Sequence, residues 1–490
     1  MKPNVKRFTS AVLAITAFLP VTTLGGAPGF GLAGFASLNA MGQNGTTGGS
    51  GGPRVQVTTL AELVHYSQTN TPLMVEVMND IDLSPLANAS QGFPTNYPTG
   101  EILVNSNKTL YSKYGAAIRR GSLRIGKGPN GKHNIIIRNL KFRDLWVLDP
   151  SGAYDQYGWD CISIEASSHH VWVDHCDFEQ VYDGMVDIKG GSDFVTVSWN
   201  VFRLQKKCSL VGASDSASAA AVDRGHLNVT FHHNWYDRVE ERIPRMRFGN
   251  AHVFNLYCNS LGGRGIQSTA EAATLVENVY FFQPRSGSRP TVEENGGPTG
   301  TVKVVNSIIV NLPGVNVQFR QFGESNFLFN APFAVPAPPY SYQLDPTDDV
   351  PNIVTNHAGV GKIAFELWQM EHFDPEQLGQ PAISGRTADP DGDGSTNEQE
   401  HLAGTNPMLA ASALRMTSIE KTGFDVVLRW STAGPRTNVL QSSDSLPPTS
   451  FVDIGNPIPI FGTGDVAMSA TVPGGASNNA AKFYRVRLPP

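Results

Sequence analysis

Residues 194–202 read FVTVSWNVF, and residues 228–236 read NVTFHHNWY. Both are short β-branched and aromatic runs with an asparagine in the seventh place, Asn200 and Asn234. The looser AATLVENVY at 272–280 and GTVKVVNSI at 300–308 carry Asn278 and Asn306 there, and HVWVDHCDF at 170–178 has Cys176 in the same slot. Constant strands separated by loops of varying length mark a solenoid. An asparagine closing each strand suits a stack of like turns, because it tolerates left-handed backbone and can hydrogen-bond the coil above and below. A β-sandwich also spaces short strands, but it gives no reason for asparagine in one slot. The reading is all-β, a stacked parallel β-helix.

A second series of strands interleaves with the first: WDCISIE at 159, GMVDIK at 184, KCSLVG at 207 and PRMRFG at 244. Stacking brings these into one parallel sheet, with about 4.8 Å between neighbours. Their polar residues gather: Asp160 on the first strand, Asp183 and Asp187 on or beside the second, Lys207 on the third, Arg242 and Arg247 on or beside the fourth. Three carboxylates on adjacent coils disfavour one another unless a cation intervenes, and Ca²⁺ suits such a set of hard oxygen donors. Cations on the following coils make the face a receptor for a polyanion whose own carboxylates also ligate the metal. The plainer alternative is a solvated, salt-bridged sheet face.

The rest of the chain sets bounds. Its 490 residues exceed one ordinary domain, and 49 Gly with 33 Pro favour turns and strands over helices. A formal charge of −6 gives no global field to gather nucleic acid, so any affinity for an anion is local. Lys2, Lys6 and Arg7, an apolar run from Ala11 to Leu19, and then Gly25 and Ala27 follow the order of a secretory signal. No later stretch approaches the roughly 20 apolar residues of a membrane span. The chain is therefore expected to be exported, monomeric and independent of membranes. Expected segments are a signal at 1–27, the β-helix at 28–362, a linker at 363–412 and a β-module at 413–490. A short helix is expected around Ala61 to Gln68, and the Pro-rich AVPAPPYSYQLDP from Ala334 excludes regular structure. Four cysteines are too few for a disulfide scaffold. Alternation turns Cys161 and Cys208 inward beside outward Asp160 and Lys207, and all four thiols are expected to be free.

WDCISIE, HVWVDHCDF, VYDGMVDIKGGSDFVTVSWN, KKCSLVGASDS, VTFHHNWYDRVEERIPRMRFGNAHVFN and PPYSYQLDP together resemble the secreted pectate lyases. The resemblance runs from about Gly34 to Ile363 and is densest between Trp159 and Asn255. It implies a right-handed parallel β-helix that cleaves α-1,4-linked polygalacturonate by β-elimination with Ca²⁺. By motif, Asp160, Asp183 and Asp187 resemble the primary calcium ligands, and Arg242 the catalytic base. Lys207 and Arg247 resemble residues that hold substrate carboxylates, with Lys189 a weaker match. An arginine base implies an alkaline optimum, since guanidinium holds its proton at ordinary pH. One departure stands out: Gly158 replaces the acidic residue that some relatives carry two positions before Asp160. Pectin lyase action on esterified chains is the nearest alternative, and a non-catalytic polysaccharide-binding β-helix the next. Hydrolysis by a carboxyl pair leaves the cations without a purpose.

Beyond the β-helix, Asp389, Asp391, Asp393, Asn397 and Glu400 fall at positions 1, 3, 5, 9 and 12 of an EF-hand loop, with Gly394 at the sharp turn and Ser395 counted among the ligands. A single loop of this kind after Pro-rich chain suggests a calcium-clamped linker. The pieces FDVVLRW, TNVLQSS, VAMSATV and AKFYRVRL then imply a small β-sandwich-like module.

Overall fold

Two consecutive coils show how the chain is built. His169–Asp174, Asp177–Glu179 and Val186–Ile188 are followed by Asp193–Ser198, Val201–Arg203 and Leu210–Val211, each strand parallel to its counterpart one coil earlier. Repeated along the chain, the three positions become, among the described residues, sheets of eleven, nine and eight strands, parallel except for Phe327–Leu328 at the end of the first, and so a parallel β-helix. The structure, a computed structural model, describes residues 30–87, 99–293, 300–310, 327–328, 334–444, 451–476 and 482–489. The expected signal at 1–27 lies outside the described residues. Residues 30–364 and 365–490 are separate compact units.

Stacking puts like side chains on like. Phe142, Phe178, Phe202 and Tyr236 face inward in register, with ring centroids 4.8, 5.1 and 4.8 Å apart. Offset ring pairs of this kind contribute about 0.5–1.5 kcal/mol each beyond the area they bury. The helix Leu60–Gln68 forms where expected, opened by a Thr59–Glu62 capping box, and sets Leu63 into the core of the first coils. All four cysteines are free and buried, Cys258 continuing the aromatic row.

The asparagine slot divides into two. Register aligns Asn200 with Asn234 and, one position earlier, aligns Trp199 and His233 with Asn255, Asn278 and Asn306. The earlier row holds the left-handed residues, with φ of 55° at Trp199, 52° at His233 and 50° at Asn278. Asn200 and Asn234 are instead fully buried. Asn200 Oδ1 accepts from the Cys176 amide at 2.8 Å, and Asn234 Oδ1 accepts from the Asn200 amide at 2.9 Å. The coil-to-coil bonding expected of asparagine is present, but in an inner row next to the turn residue.

In the second unit the expected module is one antiparallel sheet. FDVVLRW and TNVLQSS belong to a single strand, Asp425–Ser443, paired with Arg415–Thr422, Val452–Val472 and Phe483–Arg487. Its register shifts between Gly434 and Arg436, and residues from both halves, Trp430 and Leu440 among them, share one core.

Candidate active site

Asp187 lies on Val186–Ile188, in register with Ser163 of the preceding strand. Asp160 stands in the turn just before Ile162–Ile164, and Lys207 just before Leu210–Val211, where it pairs with Glu241 as an isolated bridge. Both are therefore beside their strands. The Asp160 and Asp187 carboxylates converge over Gly184, where a Cβ would meet Asp187 Oδ1 at 2.2 Å and Asp160 Oδ1 at 2.9 Å. Only glycine leaves room for both. Asp160 Oδ1 accepts from the Gly184 amide at 3.0 Å, and Asp187 Oδ1 from the Leu210 amide at 3.0 Å. Asp183 turns to the cations instead, with its Oδ1 3.4 Å from Lys207 Nζ and 3.9 Å from Arg242 Nη1.

Lys207 is held by the Tyr154 carbonyl at 2.9 Å, and Gln205 ties the Asp183 and Lys207 carbonyls together. Arg242 sits at φ 66°, its carbonyl accepting from the Ser209 amide and its amide donating to the Arg264 carbonyl. Its buried Nε makes no hydrogen bond. Lys189 lies against the carboxylates, 3.0 Å from Asp160, 3.4 Å from Glu165 and 4.0 Å from Asp187. Arg247 is drawn to Asp215 at 2.5 Å and to the Gly212 carbonyl at 2.9 Å. Asp160, Asp183, Asp187, Lys189, Lys207 and Arg242 thus meet, while Arg247 is engaged by the neighbouring loop. Glu165 escaped the sequence reading, although it shares outward parity with Ser163. A groove of about 620 Å³ opens alongside, with Tyr154, Gln205, Lys206, Arg238 and Arg285 in its lining.

Electrostatics makes the aspartates receptive to a cation. Burial first, then the charge of Asp160, raises the Asp183 carboxyl above its usual range, with Lys207 and Arg242 pulling partly back. The same two causes push Asp187 up to about 8. Burial alone would lower the Lys189 ammonium, but Asp160, Asp187 and Glu165 outweigh it and hold it above its ordinary value. Asp183 Oδ1 is buried without a hydrogen bond. The converging Asp160 and Asp187 oxygens fit a hard divalent cation, while Asp183, turned to Lys207 and Arg242, does not complete a set of three within 4.8 Å.

The other predicted ligand set lies in the second unit. Among the described residues only Asp389, Asp391 and Asp393 bring three acidic ligand atoms within 4.8 Å of one another. Asn397 and Glu400 follow on the first turn of the helix Asn397–Ala403 and are fully buried. Burial, then Asp391 and Asp393, push Glu400 up to about 8.

His175, His232 and His233 are engaged in local hydrogen bonds. His175 bonds Asp174 at 2.7 Å, and His233 bonds His232 and Asp345 at 2.8 Å each.

A stack of parallel coils with a charged cluster on one outer sheet places the chain among the parallel β-helix proteins. The model of the pectate lyase family matches residues 10–363. The chain is 34% identical over 344 residues to the pectate trisaccharide-lyase of Bacillus licheniformis, covering 68% of this chain and 87% of that one. Among solved structures, a pectate lyase from Paenibacillus sp. 0602 superposes with a TM-score of 0.53 at 25% identity, over 68% of this chain and 97% of the other. A pectate lyase from a Bacillus species, in complex with trigalacturonate, gives 0.51 at 27%, over 68% and 100%. The chain belongs to the pectate lyase family and is a polysaccharide lyase.

Proposed function

We propose that the chain cleaves α-1,4-linked polygalacturonate by calcium-dependent β-elimination. The observation that carries this reading is the gathering of Asp160, Asp183 and Asp187 with Lys189, Lys207 and Arg242 on or beside neighbouring interior strands of the third sheet. The trigalacturonate bound by the Bacillus relative supports an acidic oligosaccharide as ligand. The charged, apolar and small order of residues 1–27 supports export.

Asp160, Asp183 and Asp187 would hold the calcium ion. Bound there, Ca²⁺ neutralises a galacturonate carboxylate and so acidifies the proton on the adjacent carbon 5. Everything else falls to side chains. Lys207 exchanges Asp183 for a substrate carboxylate, and Arg247 exchanges Asp215. Arg242, as a neutral guanidine, takes the proton from carbon 5. The electron pair left behind forms the double bond to carbon 4, and the bond from carbon 4 to the glycosidic oxygen breaks. That oxygen leaves as a hydroxyl after taking a proton from water. A base of this kind works in its deprotonated form, so the rate rises toward alkaline pH.

Ultraviolet absorbance during incubation with polygalacturonate tests the reading. A rise that excess chelator abolishes, and that Arg242→Ala lowers at least about a hundredfold, is expected for loss of a general base. A rise indifferent to chelator would remove the metal and favour esterified substrate. No rise, with polymer still bound, would leave a binding protein.

A further inference from the structure

The loop at 389–400 lies outside the span matched by the family model. Its aspartates use part of their oxygens to shape the loop. Asp389 accepts from the Gly392 and Gly394 amides at 2.9 and 3.0 Å, Asp391 from Asp393 at 3.2 Å, and Asp393 from Ser395 at 2.7 Å. Gly392 and Gly394, at φ 73° and 91°, supply left-handed corners. The loop ends are closed by the Asn397 amide donating to the Ala388 carbonyl at 2.8 Å. Four oxygens are left over: Asp391 Oδ2, Asp393 Oδ2, Asn397 Oδ1 and Glu400 Oε2 are all buried without a hydrogen bond.

Glu400 is the independent witness. It is fully buried, and the charges that act on it are those of Asp391, Asp393 and Asp389. One of its oxygens receives the Thr405 hydroxyl at 3.3 Å, and the other has no partner. A buried carboxylate facing three others is costly unless a cation joins them. The Asn397 amide nitrogen is anchored to the Ile383 and Gly385 carbonyls at 2.8 Å each, which fixes its side chain in place.

What the loop holds is the helix that follows. Arg436, on the long central strand of the sheet, donates to the Leu402 carbonyl at 2.9 Å and the His401 carbonyl at 3.4 Å, and Ala403 enters the sheet core with Trp430 and Leu440. We propose that Asp389, Asp391, Asp393, the Ser395 carbonyl, Asn397 and Glu400 bind one calcium ion, and that this ion fastens the helix Asn397–Ala403 onto the C-terminal sheet. Glu400 is the ligand that couples metal to helix. An all-oxygen set of carboxylates, an amide and a main-chain carbonyl at flexible distance suits Ca²⁺ better than the strict octahedron of Mg²⁺. The site is structural and independent of the lyase reaction.

Hydrogen exchange on the full chain, in chelator and in millimolar calcium, tests this. Calcium is expected to raise protection across residues 385–403 and around Arg436 in the wild type. It should do the same in Asp187→Asn, which separates this site from the one assigned to the lyase. Glu400→Gln should be about as protected as the wild type in chelator, because the amide keeps the side chain's size and packing, and should gain nothing from calcium. If Glu400→Gln does not fold, Asp391→Asn decides by the same criterion. Wild-type protection indifferent to calcium, or a calcium gain persisting in the folded variant, would overturn the site. Equal protection by magnesium would overturn the choice of ion.

Discussion

Gly158 is exposed, and a Cβ built there meets nothing within 4 Å. Its backbone is not among the left-handed positions, so a side chain brings no strain. Two residues on, Asp160 supplies a carboxylate that already serves the Gly184 amide, Ser163 and Lys189. A ligand divided among three partners leaves the candidate calcium site short of oxygen. Gly158→Asp is therefore expected to lower the calcium concentration for half-maximal lyase activity by on the order of tenfold, since ligand charge count tunes affinity in such sites. A calcium titration of the initial rate measures this. An unchanged half-saturation would mean that residue 158 does not reach the ion.

At the scale of the repeating element, the inner asparagine row governs how coils bond. Asn234 accepts from the Asn200 amide and side chain at 2.9 and 3.1 Å and donates to the Val197 carbonyl at 2.8 Å. In register with it, Leu256 fills the next coil, so the slot accepts an apolar residue where no amide bridge is made. Asn234→Leu matches that neighbour in volume but strands a buried amide and a buried carbonyl. A loss of about 2–4 kcal/mol is expected in denaturant unfolding, from two unsatisfied groups partly offset by leucine's burial. A neutral result would mean that water replaces the bridges. The two asparagine rows also show what the sequence could reveal. β-branched runs and their interleaving were enough for a stacked parallel architecture, and outward Asp160, Asp187 and Lys207 were enough for the charged face. Register was not legible, because AATLVENVY begins one residue earlier in the coil than FVTVSWNVF, and a shift of one merges two adjacent slots into one. Likewise, the bond of Arg247 to Asp215 depends on a loop whose path no periodicity encodes, and Glu165 announced itself only by parity with Ser163.

Across the whole molecule, two sets of buried groups oppose each other with pH, and calcium separates them. His252 is held down to about 4 by burial among Phe254, Tyr340 and Tyr342, and His169 to about 4 by burial and His170. In the second unit His401 is likewise lowered to about 4 by burial and Arg436. Each binds its proton more readily unfolded, near 6.5, so its stabilising effect is complete above 6.5 and is lost as pH falls toward 4. Asp187 and Glu400, both raised to about 8, act in the reverse sense. Their folded forms keep a proton that the unfolded chain releases near 4, so stability declines as pH rises through 8, at up to about 1.4 kcal/mol per unit for each group. Between 6.5 and 8 only the carboxyls of these two sets titrate. In chelator the melting temperature should therefore fall across that interval in both units. Calcium binds the ionised carboxylates, removes the advantage of the proton and should flatten this limb. Below 6.5 the histidine limb remains and becomes the dominant slope in calcium. Melting curves of the full chain from pH 4 to 9, with and without calcium, measure both limbs. A melting temperature in chelator that stays level or climbs from 6.5 to 8 would show that neither carboxyl keeps its proton in the fold, and would withdraw the electrostatic case for a cation at both sites together.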